Sequence, residues 1–256
     1  MLKVCGDSYL GEKSFHTEHC AELGVEQLES DGPIVNTDML VPPLPEEEAR
    51  KVDLLKGPNH VDIPDFDPLP EAMELPVLLK VGDDVSTDEI MPAGTRAMPL
   101  WSSVTGMSEY AFEGCDPNYP ERAREVSDAG GHAVVGGRNY GQGSSREKAA
   151  LAPRYLGLRV VIAKRYARIH WENLVNYGIL PLTFADEADY DSIDQGDKLV
   201  LSGVPQALRS GYRRLTIENR GKGAELEVRH SLSERQVEVM LKGGLIKWMR
   251  GRINDG

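Results

Sequence analysis

Apolar and polar positions form a regular pattern after residue 75, where short apolar runs are separated by turn residues. Continuous runs of this length are typical of strands buried on both faces, and four occur, at 76–81, 132–136, 159–163 and 179–183. Later runs alternate apolar and polar residues with a period of two, which predicts half-exposed antiparallel strands at 197–201, 214–218 and 224–229.

Helical patterns lie between these runs. The first helix is predicted to begin at Ser144 or Ser145 and to end near Gly157, where glycine is a natural stop. The second spans residues 166–177, and the last follows a capping box at residues 233–236. Strands that alternate with helices predict an α/β domain.

The chain before residue 76 has a different character. Residues 33–76 hold more than half of the 16 prolines and lack helical or strand periodicity, so they predict an extended arm. We therefore expect two parts, an N-terminal extension with a proline-rich linker at residues 1–75 and a folded domain at residues 76–256.

Composition narrows the class of protein. The chain has 256 residues, of which 40% are hydrophobic, enough for one substantial core. It lacks an apolar run of membrane-spanning length and a secretory signal pattern, so no membrane partner is expected. The cysteines, Cys5, Cys20 and Cys115, are odd in number and widely spaced, which argues against a disulfide framework and predicts a cytoplasmic protein.

Charge is unevenly distributed. The net charge is −12, which makes nucleic-acid binding by the whole chain unfavourable. Residues 138–170 nevertheless contain eight Lys and Arg residues against one acid, Glu147. This window would suit a small polyanionic substrate, and the alternative is a set of exposed helix bases unrelated to binding.

The glycine-rich stretch at residues 136–147 carries the most specific chemistry. Gly141 and Gly143 let the backbone adopt positive φ and approach a ligand closely, and the predicted helix start would present unpaired N–H groups with partial positive charge. Arg146 adds a planar fork that suits a carboxylate. The stretch therefore predicts an anion site, with a merely structural helix cap as the alternative.

Three common loops do not match this stretch. A dinucleotide-binding loop needs a third glycine where Arg146 stands. A phosphate-binding loop needs Gly-Lys-Ser/Thr, and a hydrolase elbow needs Gly-x-Ser-x-Gly; neither pattern occurs around Ser144 or Ser145.

Longer strings resemble a known family. NYGQGSSRE at residues 139–147, KRYARIH at 164–170, GILPLTFAD at 178–186 and DVSTDEIMPAG at 84–94 closely resemble the C-terminal swivel domain of aconitases, in the aconitase/isopropylmalate dehydratase superfamily. The resemblance implies a swivelling β/β/α domain that closes over an iron–sulfur cluster held by other domains. The implied reaction interconverts citrate and isocitrate through cis-aconitate.

The same resemblance implies roles for individual residues. Ser144 matches the serine that removes the carbon-bound proton of the substrate, and Ser145 and Arg146 match residues that grip a substrate carboxylate. Thr87 and Asp88 match a supporting polar pair, for which we expect substrate contact by Thr87 and a catalytic role for Asp88.

The resemblance also implies a [4Fe–4S] cluster in the complete enzyme. Ligation in the family uses a Cys-x-x-Cys pair with a distant cysteine, and this chain has no such pair. We therefore expect no metal ligand here, and a partner in the form of cluster-bearing domains or a large subunit, with a tricarboxylate as substrate.

Two positions depart from the family pattern, because Glu89 and Lys148 stand where histidines are expected. An ion pair between them would substitute for those histidines, and two independent surface changes are the alternative. Arg96, which follows the second signature, is predicted to be a second carboxylate clamp.

Other functions stay open at this stage. A related dehydratase small subunit, acting on 3-isopropylmalate, homoaconitate or methylcitrate, is the nearest alternative. An RNA-binding module, using the basic window at residues 138–170, is an alternative from another class.

Overall fold

The computed structural model describes residues 40–57 and 60–254, except for the side chain of the last of these. The chain divides between Leu55 and Lys56 into two units. In the first unit the described residues hold one short helix, α1 (Glu46–Ala49), which is exposed throughout. Residues 1–39, 58 and 59 lie outside the described part of the chain, and the described residues before Ala72 hold no helix or strand other than α1. The predicted arm is not confirmed, and the division at residue 75 stays a prediction.

The second unit contains a sheet of seven strands, each of which overlaps a predicted run, and the first begins at Ala72, four residues before its predicted start. They are β1 (Ala72–Lys80), β2 (His132–Gly136), β3 (Leu158–Ala163), β4 (Leu180–Phe184), β5 (Lys198–Ser202), β6 (Arg214–Asn219) and β7 (Ala224–Arg229). The sheet closes on itself in the order β1-β2-β3-β4-β7-β6-β5. The pairs from β1 to β4 are parallel, and the other pairs are antiparallel.

Short helices connect these strands. They are α2 (Thr87–Ile90), α3 (Val104–Ser108), α4 (Tyr119–Ser127), α5 (Lys148–Tyr155), α6 (Arg168–Asn176), α7 (Val204–Arg209), α8 (Glu234–Leu241) and α9 (Leu245–Asn254). The predicted second helix is confirmed as α6. The predicted capping box is confirmed at the start of α8, where the Ser233 side chain accepts from the amide of Gln236.

Burial explains why the parallel strands are continuous apolar runs while the antiparallel strands alternate apolar and polar residues. Every residue of β2 is buried, because Val134 packs in one apolar cluster while Ala133 and Val135 pack in the other. Strand β6 alternates exposed and buried residues along its whole length. The chain therefore covers the parallel strands on both faces and leaves one face of the antiparallel strands to solvent.

The pairing of β1 with β2 continues beyond the strand ends. The amide of Gly137 donates to the carbonyl of Gly82 at 3.0 Å, and the amide of Asp84 donates to the carbonyl of Arg138 at 2.8 Å. Residues 139–147, called the serine loop below, follow directly. Since parallel strands end at the same edge of a sheet, this pairing delivers the serine loop to the segment that follows β1.

A buried histidine lies at the opposite end of β2. The ring Nε2 of His132 and the hydroxyl of Tyr119 form a hydrogen bond at 2.7 Å, and the two rings meet edge to face. Burial lowers the pKa of His132 to about 3. The folded protein therefore keeps this imidazole neutral at physiological pH.

We expect the free energy of unfolding to fall as the pH is lowered through the window from about 6.5 to about 3. The unfolded chain takes up a proton on this histidine below about pH 6.5, whereas the folded chain does not, so acid favours unfolding. Between about pH 7 and about pH 5 the expected loss from His132 is about 2 kcal/mol, measured by urea denaturation at both pH values.

The matched variants are His132→Gln and Val134→Ala. His132→Gln is expected to remove about 2 kcal/mol of the pH-dependent loss. Val134→Ala, on the same buried strand, is expected to lower stability equally at both pH values. An unchanged pH dependence in His132→Gln contradicts the assignment.

Candidate active site

The two segments that carry the family resemblance lie against each other at the edge where β1 and β2 end. The amides of Gly141 and Gln142 donate to the carbonyl of Val85 at 2.7 and 3.1 Å, and the amide of Thr87 donates to the carbonyl of Gln142 at 2.8 Å. These main-chain bonds join the serine loop to residues 84–94, and side-chain bonds from Asn139 and Gln142 to Asp84 add to them.

The serine loop turns on glycines, as predicted. Gly141 has φ +78° and Gly143 has φ +109°, values that L side chains rarely adopt. The turn leaves Ser144 and Ser145 exposed. Within the described part of the chain, neither serine hydroxyl has a hydrogen-bond partner, so both are accessible from solvent.

The predicted helix start is wrong by several residues. Helix α5 begins at Lys148 with Glu147 at its N-cap, and no side chain caps it. The amide of Arg146 instead donates to the carbonyl of Ser144 at 2.8 Å, a tight turn that no helix contains. Ser144 and Ser145 therefore lie in the loop before the helix, and neither serves as its cap.

Arg146 is held in place from two directions. Its Nη1 donates to the Asp88 carboxylate at 2.6 Å and to the carbonyl of Met91 at 3.1 Å. The guanidinium also lies over the Trp101 ring, 5.8 Å from its centroid. Among the described residues no group bonds Nε or Nη2, so the fork keeps donors free for a bidentate anion.

The contact with Arg146 defines what Asp88 does. The hydrogen bond from Arg146 lowers the pKa of the Asp88 carboxyl, so the carboxylate is ionised at neutral pH. An ionised carboxylate bonded to a guanidinium orients that group and is not a proton donor. The catalytic role predicted for Asp88 stays a prediction, and the geometry favours an orienting one.

Thr87 lies beneath the serine loop. It is 1% exposed, and its hydroxyl donates to the carbonyl of Ser144 at 3.4 Å. A Cβ at Gly143 would lie 3.3 Å from the same hydroxyl. Thr87 thus contacts the loop and not the solvent, and its predicted substrate contact stays a prediction.

Arg96 faces a different set of partners. Its side chain is 73% exposed and pairs with Glu113 at 3.2 Å, and its guanidinium lies 5.3 Å from the centroid of the Tyr110 ring. Within the described residues it shares no contact with Arg146. The predicted role as a second carboxylate clamp stays a prediction.

The Glu89–Lys148 ion pair does not form. The Glu89 carboxylate accepts from the amide of Ser86 at 2.7 Å and closes a capping box on α2. Lys148 pairs with Glu147 at 2.5 Å and lies 5.3 Å from the centroid of the Trp101 ring. Each charge has a nearer partner, so the second reading, of independent changes, is the one that the structure supports.

Sequence reasoning did not single out Trp101. Its ring contacts both cations of the site, Arg146 and Lys148, and its indole nitrogen is buried without a hydrogen-bond partner among the described residues. No local pattern could have revealed it, because Trp101 follows a short 3₁₀ turn (Met98–Leu100) and meets α5 only in the folded chain.

The basic window at residues 138–170 does not form one positive face. Arg138 and Arg165 share the carboxylate of Glu187. Arg154 is buried and donates to two backbone carbonyls, and burial lowers its pKa to about 9. Of the basic residues named here, Arg146 is the one that lies in the serine loop.

The described residues do not fit an iron–sulfur cluster. Among residues 40–57 and 60–254 no three His, Cys, Asp or Glu side chains gather as a metal ion requires, and Cys115 is the one cysteine there, free and exposed. Cys5 and Cys20 lie outside the described residues.

None of the described helices has the length and apolarity of a membrane span.

Comparison with known proteins identifies the family to which the chain belongs. Residues 94–187 match the model of the aconitase C-terminal domain. The chain is 37% identical to the 3-isopropylmalate dehydratase small subunit 2 of Archaeoglobus fulgidus over 171 residues, which cover 67% of this chain and 91% of that protein. This chain belongs to the aconitase/isopropylmalate dehydratase superfamily.

Two further relatives define how much of a superfamily enzyme is present. The putative mitochondrial aconitate hydratase of Aspergillus fumigatus is 36% identical over 213 residues, which cover 74% of this chain and 27% of that protein. The crystal structure of 3-isopropylmalate dehydratase from Methanocaldococcus jannaschii matches with a TM-score of 0.57 and 28% identity, covering 72% of this chain and 97% of that chain.

The chain thus spans about a quarter of the length of the aconitate hydratase and nearly all of the dehydratase small subunits. It is an aconitase-type C-terminal domain, and by name its superfamily relatives are hydratases and dehydratases, which are hydro-lyases.

The comparisons contradict the cytoplasmic prediction. The superfamily relatives from Aspergillus fumigatus and Dictyostelium discoideum are named as mitochondrial. The inference failed because a low cysteine count indicates only that disulfides are not used, and that condition does not distinguish one reducing compartment from another.

We expect charge reversals at Glu89 and Lys148 to be additive in this superfamily member. Because the two side chains have separate partners, the coupling between Glu89→Lys and Lys148→Glu is expected to stay within about 0.5 kcal/mol, measured by denaturation in a double-mutant cycle. The bonded pair Asp88 and Arg146 is the control, for which Asp88→Asn and Arg146→Gln are expected to be non-additive. Mutual rescue of the two reversals would reinstate the ion pair.

Proposed function

We propose that this chain is the swivel-domain part of an aconitase-type hydro-lyase that interconverts citrate and isocitrate through cis-aconitate. The observation that supports it most strongly is the position of Arg146, which is anchored on one side by Asp88 and Trp101 and keeps free donors beside two exposed serines. The family membership supplies the reaction class.

Arg146 is suited to hold a substrate carboxylate. A guanidinium can bind a carboxylate through two parallel hydrogen bonds, and the Asp88 contact occupies only Nη1 of this one. The orientation of the fork is set before substrate arrives, which lowers the entropic cost of binding. Ser145, exposed beside it, is proposed to add a hydroxyl donor to the same carboxylate.

Ser144 is the proposed base. A proton on the carbon next to a carboxylate is very weakly acidic, so its removal needs a base and positive groups that stabilise the charge that develops. Serine becomes a competent base only when its alkoxide is stabilised. We assign that stabilisation to Arg146, since helix α5 begins at Lys148 and the predicted helix N-terminus is not available at Ser144 itself.

The proposed dehydration of the substrate is an elimination of water. The C–H bond breaks and its proton passes to the Ser144 oxygen, the electron pair forms the carbon–carbon double bond, and the hydroxyl leaves from the neighbouring carbon. The family resemblance implies a [4Fe–4S] cluster, which would supply a Lewis acid for that hydroxyl and which we propose would be carried by a large subunit or further domains.

A second candidate is the small subunit of a 3-isopropylmalate-type dehydratase. The observation in its favour is that this chain matches 91% of the Archaeoglobus fulgidus small subunit. The chain should therefore be combined with its cluster-bearing partner and assayed with citrate, isocitrate, homoaconitate, methylcitrate and 3-isopropylmalate. A preference for citrate and isocitrate supports the first proposal, and a preference for 3-isopropylmalate replaces it with the second.

We expect Ser144→Ala to lower kcat by roughly 10²–10⁴-fold in the reassembled enzyme, with little change in KM, because the base acts only in the transition state. Arg146→Lys is expected to raise KM at least tenfold, since an ammonium cannot form the bidentate contact. Ser231→Ala, at another exposed serine, is the matched control. Near-normal turnover in Ser144→Ala excludes this serine as the base.

A further inference from the structure

His170 lies directly beneath the serine loop. It is the third residue of α6 and 1% exposed. A Cβ built on Gly141 would lie 2.2 Å from Cδ2 of the His170 ring and 2.3 Å from Cγ, well inside van der Waals contact. The imidazole and the glycine backbone are therefore in direct contact, and only a glycine fits above the ring.

The backbone on either side of this contact is fixed. The amide of Tyr140 donates to the carbonyl of Arg165, and the carbonyl of Tyr140 accepts from the amide of Ala167, both at 2.9 Å. On its far side Gly141 bonds the carbonyl of Val85 at 2.7 Å. The loop is thus clamped between the start of α6 and the segment after β1, with the ring of His170 as the spacer.

Burying the His170 ring in this contact lowers the stability of the fold. Both nitrogens of His170 are buried and have no hydrogen-bond partner among the described residues, and burial lowers its pKa to about 4, so the ring is neutral. Unpaired buried polar atoms destabilise a fold. The contact with Gly141 therefore depends on the shape and position of the ring and not on a hydrogen bond from either nitrogen.

We propose that His170 is a positioning residue for the serine loop. Its ring sets the position of Gly141 and thereby the direction in which the Ser144 side chain points. The inference rests on the proposed function for its catalytic consequence. Arg146 is anchored separately, by Asp88 and Met91. Loss of the ring should therefore displace the base and leave the carboxylate clamp in place.

The separation of base and clamp gives a test with two kinetic parameters. In the reassembled enzyme, His170→Ala is expected to lower kcat about 100-fold, as a misplacement of about 1 Å can do, while KM changes less than about threefold. Rates are normalised to folded protein. His170→Phe keeps a ring beneath Gly141 and is expected to recover most of kcat. A normal kcat in His170→Ala, or equal losses in both variants, overturns the positioning role.

Hydrogen exchange on the full chain alone separates this inference from the proposed function. His170→Ala is expected to raise amide exchange at least tenfold at Gly141 and Gln142, whose bonds to Val85 protect them, and His170→Phe is expected to leave it near normal. The control is His132→Ala, which removes another buried histidine with an unpaired Nδ1 and should not affect these amides selectively.

The outcomes are distinct. Unchanged exchange in His170→Ala overturns the positioning inference, whatever the activity. Raised exchange together with a wild-type complex that turns over none of the superfamily substrates supports positioning of the loop and overturns the proposed function instead.

Discussion

The backbone ladder between β1 and β2 is the constraint on which the candidate site depends. It does not stop at the strand ends but continues through Gly82 and Gly137 and then through Val85 and Gly141. Two segments more than fifty residues apart are thereby joined by main-chain bonds, which need no particular side chain. The pairing of Arg146 with Asp88 follows from this alignment.

The closed sheet makes the alignment rigid. Strands β2 and β3 are buried on both faces, so a shift of register would move a whole set of apolar side chains to the wrong side. Catalytic side chains can lie on loops only where a rigid scaffold holds the loop ends. Here the sheet fixes one end of the serine loop and α5 fixes the other, and the serines between them stay exposed.

The site is open to solvent, and its groups suit only part of the proposed reaction. Its serines face solvent, its arginine keeps donors free, and among the described residues no three His, Cys, Asp or Glu side chains gather as a metal site requires. The proposed elimination of water needs both removal of a proton and departure of a hydroxyl, and we propose that the residues brought together here serve the first. That division agrees with a chain that matches nearly all of a dehydratase small subunit and about a quarter of an aconitate hydratase.

The sequence by itself determined the features whose causes are local. Strand periodicity, the capping box at Ser233 and the positive φ of Gly141 and Gly143 depend on near neighbours. The strings at residues 84–94, 139–147, 164–170 and 178–186 together were enough to indicate the family. Only the tertiary structure decided where α5 begins, that Lys148 contacts Trp101 and not Glu89, and that Trp101 and His170 flank the loop. Those outcomes depend on how distant segments align in the folded chain. The alignment decides which side chains come within contact distance and which are buried, and no local sequence pattern contains that information.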